Sequence, residues 1–332
     1  MREIHTRSRK RSKVEVHNRT MAESAGHLEG VLVIDKPAGI SSHDVVDRVR
    51  KLFGLRKVGH TGTLDPFATG VMVVCVGRAT RVAKYFEGMD KAYRAVIKLG
   101  EVTDTGDSDG VVVEVSSLPI GLSRELVEAA IDPFRGTITQ QPPAYSAVKV
   151  GGERLYARAR RGEKVSAPTR EVTIRKLIIE SFEGEQLTLF LECSKGTYVR
   201  SLAFDLGRRL GCGAHCLHLT RTMVGPFTLE EAMPLEALEE LDGRAANERL
   251  IRLDEALARF MEPVSLTNQG ASLVAHGSPV EEDFVARSPE TIRLGATYRA
   301  LDDSGRLIAI VEAQKGSRSF RWAPRRVIDV RN

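Results

Sequence analysis

No apolar run in this chain approaches the about 20 residues that a membrane-spanning helix needs, which excludes a helical membrane protein. The first 30 residues also lack the apolar core of a secretory leader. Cysteine is scarce: Cys75, Cys193, Cys212 and Cys216 are the four in 332 residues. With no leader, so few thiols point to a reducing compartment rather than a disulfide framework, and the expected location is cytoplasmic. No glycine-rich loop of the phosphate-cradling kind is present. Cys212, His215, Cys216 and His218 stand close together, but their spacing fits no zinc template and reads as structural. Asp104, Asp107 and Asp109 lack the closing glutamate of a calcium loop, and residues 103–110 read as a solvated acidic turn. No cofactor and no metal are expected.

Excess charge is also missing from the body of the chain. The net charge is +5, and residues 1–20 alone carry seven Lys/Arg against two Glu, which is the whole excess. Residues 1–29 therefore read as a basic, disordered and dispensable tail, with Met21 an alternative start. A neutral body binds nucleic acid only if it segregates its cations onto one face. Residues 140–170 are the candidate, with Lys149, Arg154, Arg158, Arg160, Arg161, Lys164 and Arg170 interleaved with Tyr145 and Tyr156. Cations there can meet phosphates, and aromatic rings can pack on bases or sugars.

What the chain does have is concentrated in Gly59-His60-Thr61-Gly62-Thr63-Leu64-Asp65-Pro66-Phe67-Ala68-Thr69-Gly70. A carboxylate, an imidazole, three hydroxyls and three glycines share twelve residues, and the buried-strand pattern Val71–Val76 follows. Such a loop, anchored to a strand, is where a fold displays a reactive group. Asp65 before Pro66 also has the form of a helix cap, which would explain it structurally. Around this loop the periodicity predicts a strand at Val31–Ile34 and a helix capped by Ser41 and Asp44 and closed by Gly54. Further strands are predicted at Tyr93–Leu99 and over Leu187, Leu189, Leu191 and Cys193. Helices are predicted from Ser123 to Phe134 and over Leu202–Leu210, the latter just after Arg200. From Pro263 onward short strands are broken by Gly, Pro and Asn.

The twelve-residue loop resembles the signature of the TruB family, the tRNA pseudouridine-55 synthases. Further motifs resemble that family in the same order: Val31–Gly39 with its Asp-Lys-Pro turn, Asp90–Ala95, Gln140–Lys149, Gly152–Arg160, Cys193–Arg200 and Leu210–His215. The resemblance runs from about Gly30 to Arg221 and continues more faintly beyond. It implies an α+β pseudouridine-synthase fold, with a mixed, mostly antiparallel central sheet flanked by helices and a small β-rich PUA-like domain. The implied division is a catalytic domain over 30–255, an RNA-clasping insertion at 140–170 and the PUA-like domain over 262–330.

The resemblance also implies roles. Asp65 is the expected catalytic residue, and Arg200 is expected to pair with it, sharing Asp107. Tyr93 is expected to stack on a flipped-out base, and Tyr198 belongs to the same Gly-Thr-Tyr-x-Arg motif as Arg200. His60 is expected to hold the flipped conformation, Leu219 to wall the uracil pocket, and Lys36 to support the loop. The expected partner is the T-arm of tRNA, bound by a monomer with no membrane and no obligatory protein partner. A guide-RNA-dependent synthase of the Cbf5/dyskerin kind and a non-catalytic RNA-binding protein are the alternatives. Residues 149–162, which resemble the insertion that clasps tRNA directly, favour the stand-alone enzyme.

Overall fold

The computed structural model describes residues 28–328 except Ala147, Gly162, residues 164–166 and Arg318. Residues 1–27 of the basic tail, Met21 among them, and Lys164 lie outside the described residues, as do the side chains of Lys149, Arg154 and Arg160.

In chain order the strands are β1 (Gly30–Lys36), β2 (Val58–His60), β3 (Thr69–Val76) and β4 (Lys91–Leu99). A ribbon of β5 (Glu101–Thr103) and β6 (Val112–Val115) follows, then β7 (Gly136–Gln140) and a smaller ribbon, β8 (Lys149–Val150) and β9 (Glu153–Arg154). Next come β10 (Arg170–Glu183), β11 (Gln186–Cys193), β12 (Ala214–Val224), β13 (Phe227–Thr228) and β14 (Met233–Pro234). The central sheet runs β14-β1-β3-β12-β4-β11-β10-β7, with β2 added to β3 and β13 to β12. Its joints are antiparallel except β1–β14 and β3–β12, so the sheet is mixed and mostly antiparallel.

Three helices position the site. Helix α1 (Ser42–Phe53) starts where the sequence says: the Ser41 hydroxyl accepts from the Asp44 N–H, and the Asp44 carboxylate accepts from the Ser41 N–H. Val45, Val46, Val49 and Phe53 form its buried face, and Gly54 ends it in the left-handed conformation. Helix α2 (Arg124–Ile131) is capped by Ser123 but stops short of Phe134. Asp132-Pro133-Phe134 tightens into a 3-10 turn, because Pro133 has no N–H for an α-helical bond. Helix α3 (Val199–Leu210) buries Leu202, Ala203 and Leu206.

The β5–β6 ribbon escapes the sequence pattern, since every residue of β6 is exposed and no alternation marks it. The acidic turn between these strands is solvated at Asp104, Ser108 and Asp109, as read from the residues alone, but Asp107 is buried.

The C-terminal unit is a separate six-stranded sheet of β15 (Pro263–Leu266), β16 (Val280–Glu281), β17 (Val285–Arg287), β18 (Thr297–Leu301), β19 (Leu307–Lys315) and β20 (Phe320–Val327). Helix α4 (Asn268–Ala275) covers its core with Ala271 and Val274, and Tyr298 meets Trp322 edge-on there. Leu307, Ile310 and Ile328 leave this core and pack with Val31, Val33 and Phe86 of the larger body.

Candidate active site

The loop from Thr61 to Ala68 leads into β3 at its joint with β12, and the Asp65 carboxylate is held there by one guanidinium. Arg200 Nε donates to Asp65 Oδ2 at 3.0 Å. The same guanidinium donates to the Thr105 and Tyr145 carbonyls, each at 2.8 Å, and stands 3.3 Å from Asp107. The Arg200 side chain is only 3% exposed, while Asp65 keeps 28% of its side chain exposed and reachable. Charge-assisted bonds of this kind fix orientation as well as charge. No helix begins at Pro66, and the Asp65 side chain turns to Arg200, so the helix-cap reading of Asp65 is set aside.

Burial pushes the Asp65 carboxyl above the ordinary carboxylate range; Arg200 opposes the rise and Asp107 adds to it. The acidic turn serves this geometry. Asp107 takes the Thr105 hydroxyl at 2.5 Å and the Asp109 N–H at 3.2 Å, which aims its other oxygen at Arg200.

The backbone around Asp65 is immobilised by buried side chains. The ammonium of fully buried Lys36 donates to the carbonyls of Pro37, Ile40 and Pro66 at 2.7, 2.8 and 3.2 Å. Desolvation pushes its pKa down to about 8. The Ser42 hydroxyl accepts from the Leu64 N–H at 2.8 Å and lies 2.9 Å from the Leu64 carbonyl. Arg221, 1% exposed, donates to the carbonyls of Val71, Thr63 and Gly62 at 2.7, 3.2 and 3.2 Å. With the Gly62, Thr63, Leu64 and Pro66 carbonyls each held by a buried side chain, the loop is pre-organised, as a reacting carboxylate requires.

The remaining expected residues cluster unevenly. Tyr93 lies on β4 opposite Arg221 of β12 and is buried. Leu219, on the same strand as Arg221, is 6% exposed. His60 sits at the loop entrance; its Nδ1 accepts from the Gly62 N–H at 3.3 Å, and its ring meets His43 edge-on at 5.7 Å. Tyr198 precedes α3, its N–H and carbonyl both bracketed by the Gln140 amide at 2.7 and 2.9 Å, with the Arg170 guanidinium 4.9 Å over its ring.

Three contributors went unassigned in the sequence: Ser42, Gln140 and Arg221. Each is a polar side chain inside an otherwise apolar or capped segment, and such a residue demands a partner once buried. In the 140–170 insertion, Arg158 pairs with Glu163 and Arg161 with Glu153 and Glu163, so part of its positive charge is neutralised internally. Among the described residues no group of three or more His, Cys, Asp or Glu is placed to hold a metal; His215 Nδ1 lies 3.1 Å from the Glu101 carbonyl.

The family model described as TruB family pseudouridylate synthase (N terminal domain) matches residues 50–199, and the tRNA pseudouridylate synthase B C-terminal domain matches 200–266. The boundary falls inside α3, so both parts build one sheet and one site. The chain is 42% identical over 304 residues to tRNA pseudouridine synthase B of Stutzerimonas stutzeri (strain A1501), covering 91% of this chain and 96% of that protein. It is also 42% identical to the protein of the same name in Pseudomonas aeruginosa (strain UCBPP-PA14), over 91% and 96% of the two chains. Among solved structures, a Cbf5-Nop10-Gar1 complex superposes with a TM-score of 0.70 at 25% identity, covering 90% of this chain and 85% of that one. The archaeal box H/ACA sRNP Nop10-Cbf5 complex gives a TM-score of 0.69 at 22% identity over 92% and 88%, a likeness of fold. The chain belongs to the TruB family of pseudouridylate synthases.

Proposed function

We propose that this enzyme converts the uridine at position 55 in the TΨC loop of tRNA to pseudouridine, acting on bare tRNA as a monomer. The observation that carries the reading is Asp65, a reachable carboxylate held by one buried arginine in an immobilised loop, in a chain 42% identical to tRNA pseudouridine synthases B. The reaction breaks the bond from ribose C1′ to uracil N1, forms one from C1′ to C5, releases the C5 proton and leaves N1 protonated. Cleavage develops positive charge on the sugar, which an aspartate can stabilise or capture. A stacked uridine must first leave its stack. Tyr93 then packs on the flipped base, Leu219 walls the uracil pocket, Tyr198 supports it from the head of α3, and His60 holds the opened loop. Arg200 and Asp107 keep Asp65 oriented, and Lys36 keeps its loop in place.

The 140–170 insertion clasps the T-arm, and the unit over 262–330 acts as a PUA-like RNA-binding domain. No helix among the described residues is long and apolar enough to cross a membrane. Tritium release from [5-³H]uridine-labelled, unmodified tRNA tests the reading directly. Release at the T-loop uridine by wild type and none by Asp65→Asn is expected. A requirement for guide RNA, or tight binding without release, overturns it.

A further inference from the structure

Arg221 occupies the crossing point of the site. On β12 it is paired with Gly70 of β3 on one side and with Tyr93 of β4 on the other. Its guanidinium carries no carboxylate among the described ion pairs; it reaches the carbonyls of Gly62, Thr63 and Val71. It also faces the Tyr93 hydroxyl, opposing by charge and hydrogen bonding the upward push that burial gives that phenol. One side chain thus grips the loop that presents Asp65 and the tyrosine proposed to lie against the base. The approach is close: a Cβ on Gly70 would stand 2.3 Å from the Arg221 carbonyl oxygen.

We infer that Arg221 is a positioning residue that locks the Asp65 loop and Tyr93 into one rigid unit, so that base and carboxylate are presented in a fixed mutual geometry. The inference rests on the function proposed above. Its chemistry has two separable parts. The planar fork reaches the Val71, Thr63 and Gly62 carbonyls from three separate nitrogens, a spread that the single nitrogen of a lysine at this position does not match. The charge lowers the cost of ionising Asp65, alongside Arg200. The groups facing that carboxylate are Arg200 on α3, Asp107 in the acidic turn, Arg221 and Cys216 on β12, Lys36 on β1 and Tyr93 on β4.

Single-turnover rates of Arg221→Lys and Arg221→Gln on unmodified tRNA separate the two parts, with RNA Kd measured in parallel. Arg221→Lys is expected to slow the chemical step about 10- to 100-fold with Kd within about 3-fold, as misplacement of a reacting group does. It keeps the acid limb of the pH–rate profile in place, because the charge remains. Arg221→Gln loses more rate, and its acid limb moves to higher pH, since a carboxylate deprived of a cation ionises later. A looser fold alone would lower the rate without moving that limb. Tyr93→Phe, combined with Arg221→Lys, should be less than additive. Should Arg221→Gln fail to fold, Arg221→Lys and the cycle with Tyr93→Phe still decide. Wild-type rate in Arg221→Lys, or losses confined to Kd, overturns the inference. An inactive wild type would instead overturn the function on which it rests.

Discussion

Asp65 illustrates how a site residue works against stability. A half-buried carboxyl with a raised pKa binds its proton more tightly in the folded than in the unfolded chain. Its contribution is therefore present in full below the unfolded pKa and is lost as pH rises through the folded one. At neutral pH the ionised group is a cost that Arg200 only offsets. Asp65→Asn is expected to abolish tritium release while leaving Tm at pH 7 unchanged or raised by about 0–3 °C. A large fall in Tm by thermal-shift measurement would show that the pair with Arg200 is structural. Lys36 gives a second prediction with the opposite sign. Its pKa near 8 lies below the unfolded value, so titration of this group adds stability as pH rises from about 8. The same titration withdraws the charge that binds Pro66. The rate should fall above about pH 8 while Tm does not fall in step, and matched pH scans of rate and Tm check this. A rate that is flat through this range would remove Lys36 from the loop's support.

Among the elements, the β3–β12 joint carries the site. It is one of the two parallel joints of the sheet, and Gly70 sits on it with φ at +104°. Both the backbone angle and the missing Cβ are needed there, since any side chain would meet the Arg221 backbone. Gly70→Ala is expected to cost about 3 kcal/mol or more and to remove activity, read by denaturant unfolding and tritium release. A change below about 1 kcal/mol would mean that the joint relaxes. Much of this level was legible beforehand. The capping box of Ser41 and Asp44, the strands at Val71–Val76 and Tyr93–Leu99, and the helix after Arg200 all follow from periodicity and caps, which are local. Two kinds of feature were not. β6 buries no face, so alternation has nothing to report there. Ser42, Gln140 and Arg221 act on partners 22, 58 and 150 or more residues away, and no local pattern encodes such pairings. Asp65 stood out in its loop with a helix cap as the rival reading, whereas Tyr93 and Arg200 were nameable only because their surroundings resemble a known family's motifs.

Taken as one molecule, the chain divides most of its β-structure between two large sheets but not its core into two independent parts. β19 faces both ways: Ala309, Val311 and Ala313 fill the C-terminal unit, while Leu307 and Ile310 pack with Val31, Val33 and Phe86. β1 links this shared core to the Asp65 loop, because its last residue is Lys36, whose ammonium donates to the Pro66 carbonyl. Strain introduced at the junction should reach both units. Ile310 is fully buried, and Ile310→Ala removes apolar volume from a shared core, at an expected cost of about 2–5 kcal/mol. Because the side chain belongs to the larger body's cluster while its backbone belongs to the smaller sheet, unfolding should remain one transition shifted to lower temperature. Differential scanning calorimetry checks this. Two separated transitions, with only the first one moved, would show that the C-terminal sheet is an appendage. A single shifted transition, with the single-turnover rate preserved below it, would show that the junction ties the two sheets into one cooperative body without taking part in the chemistry.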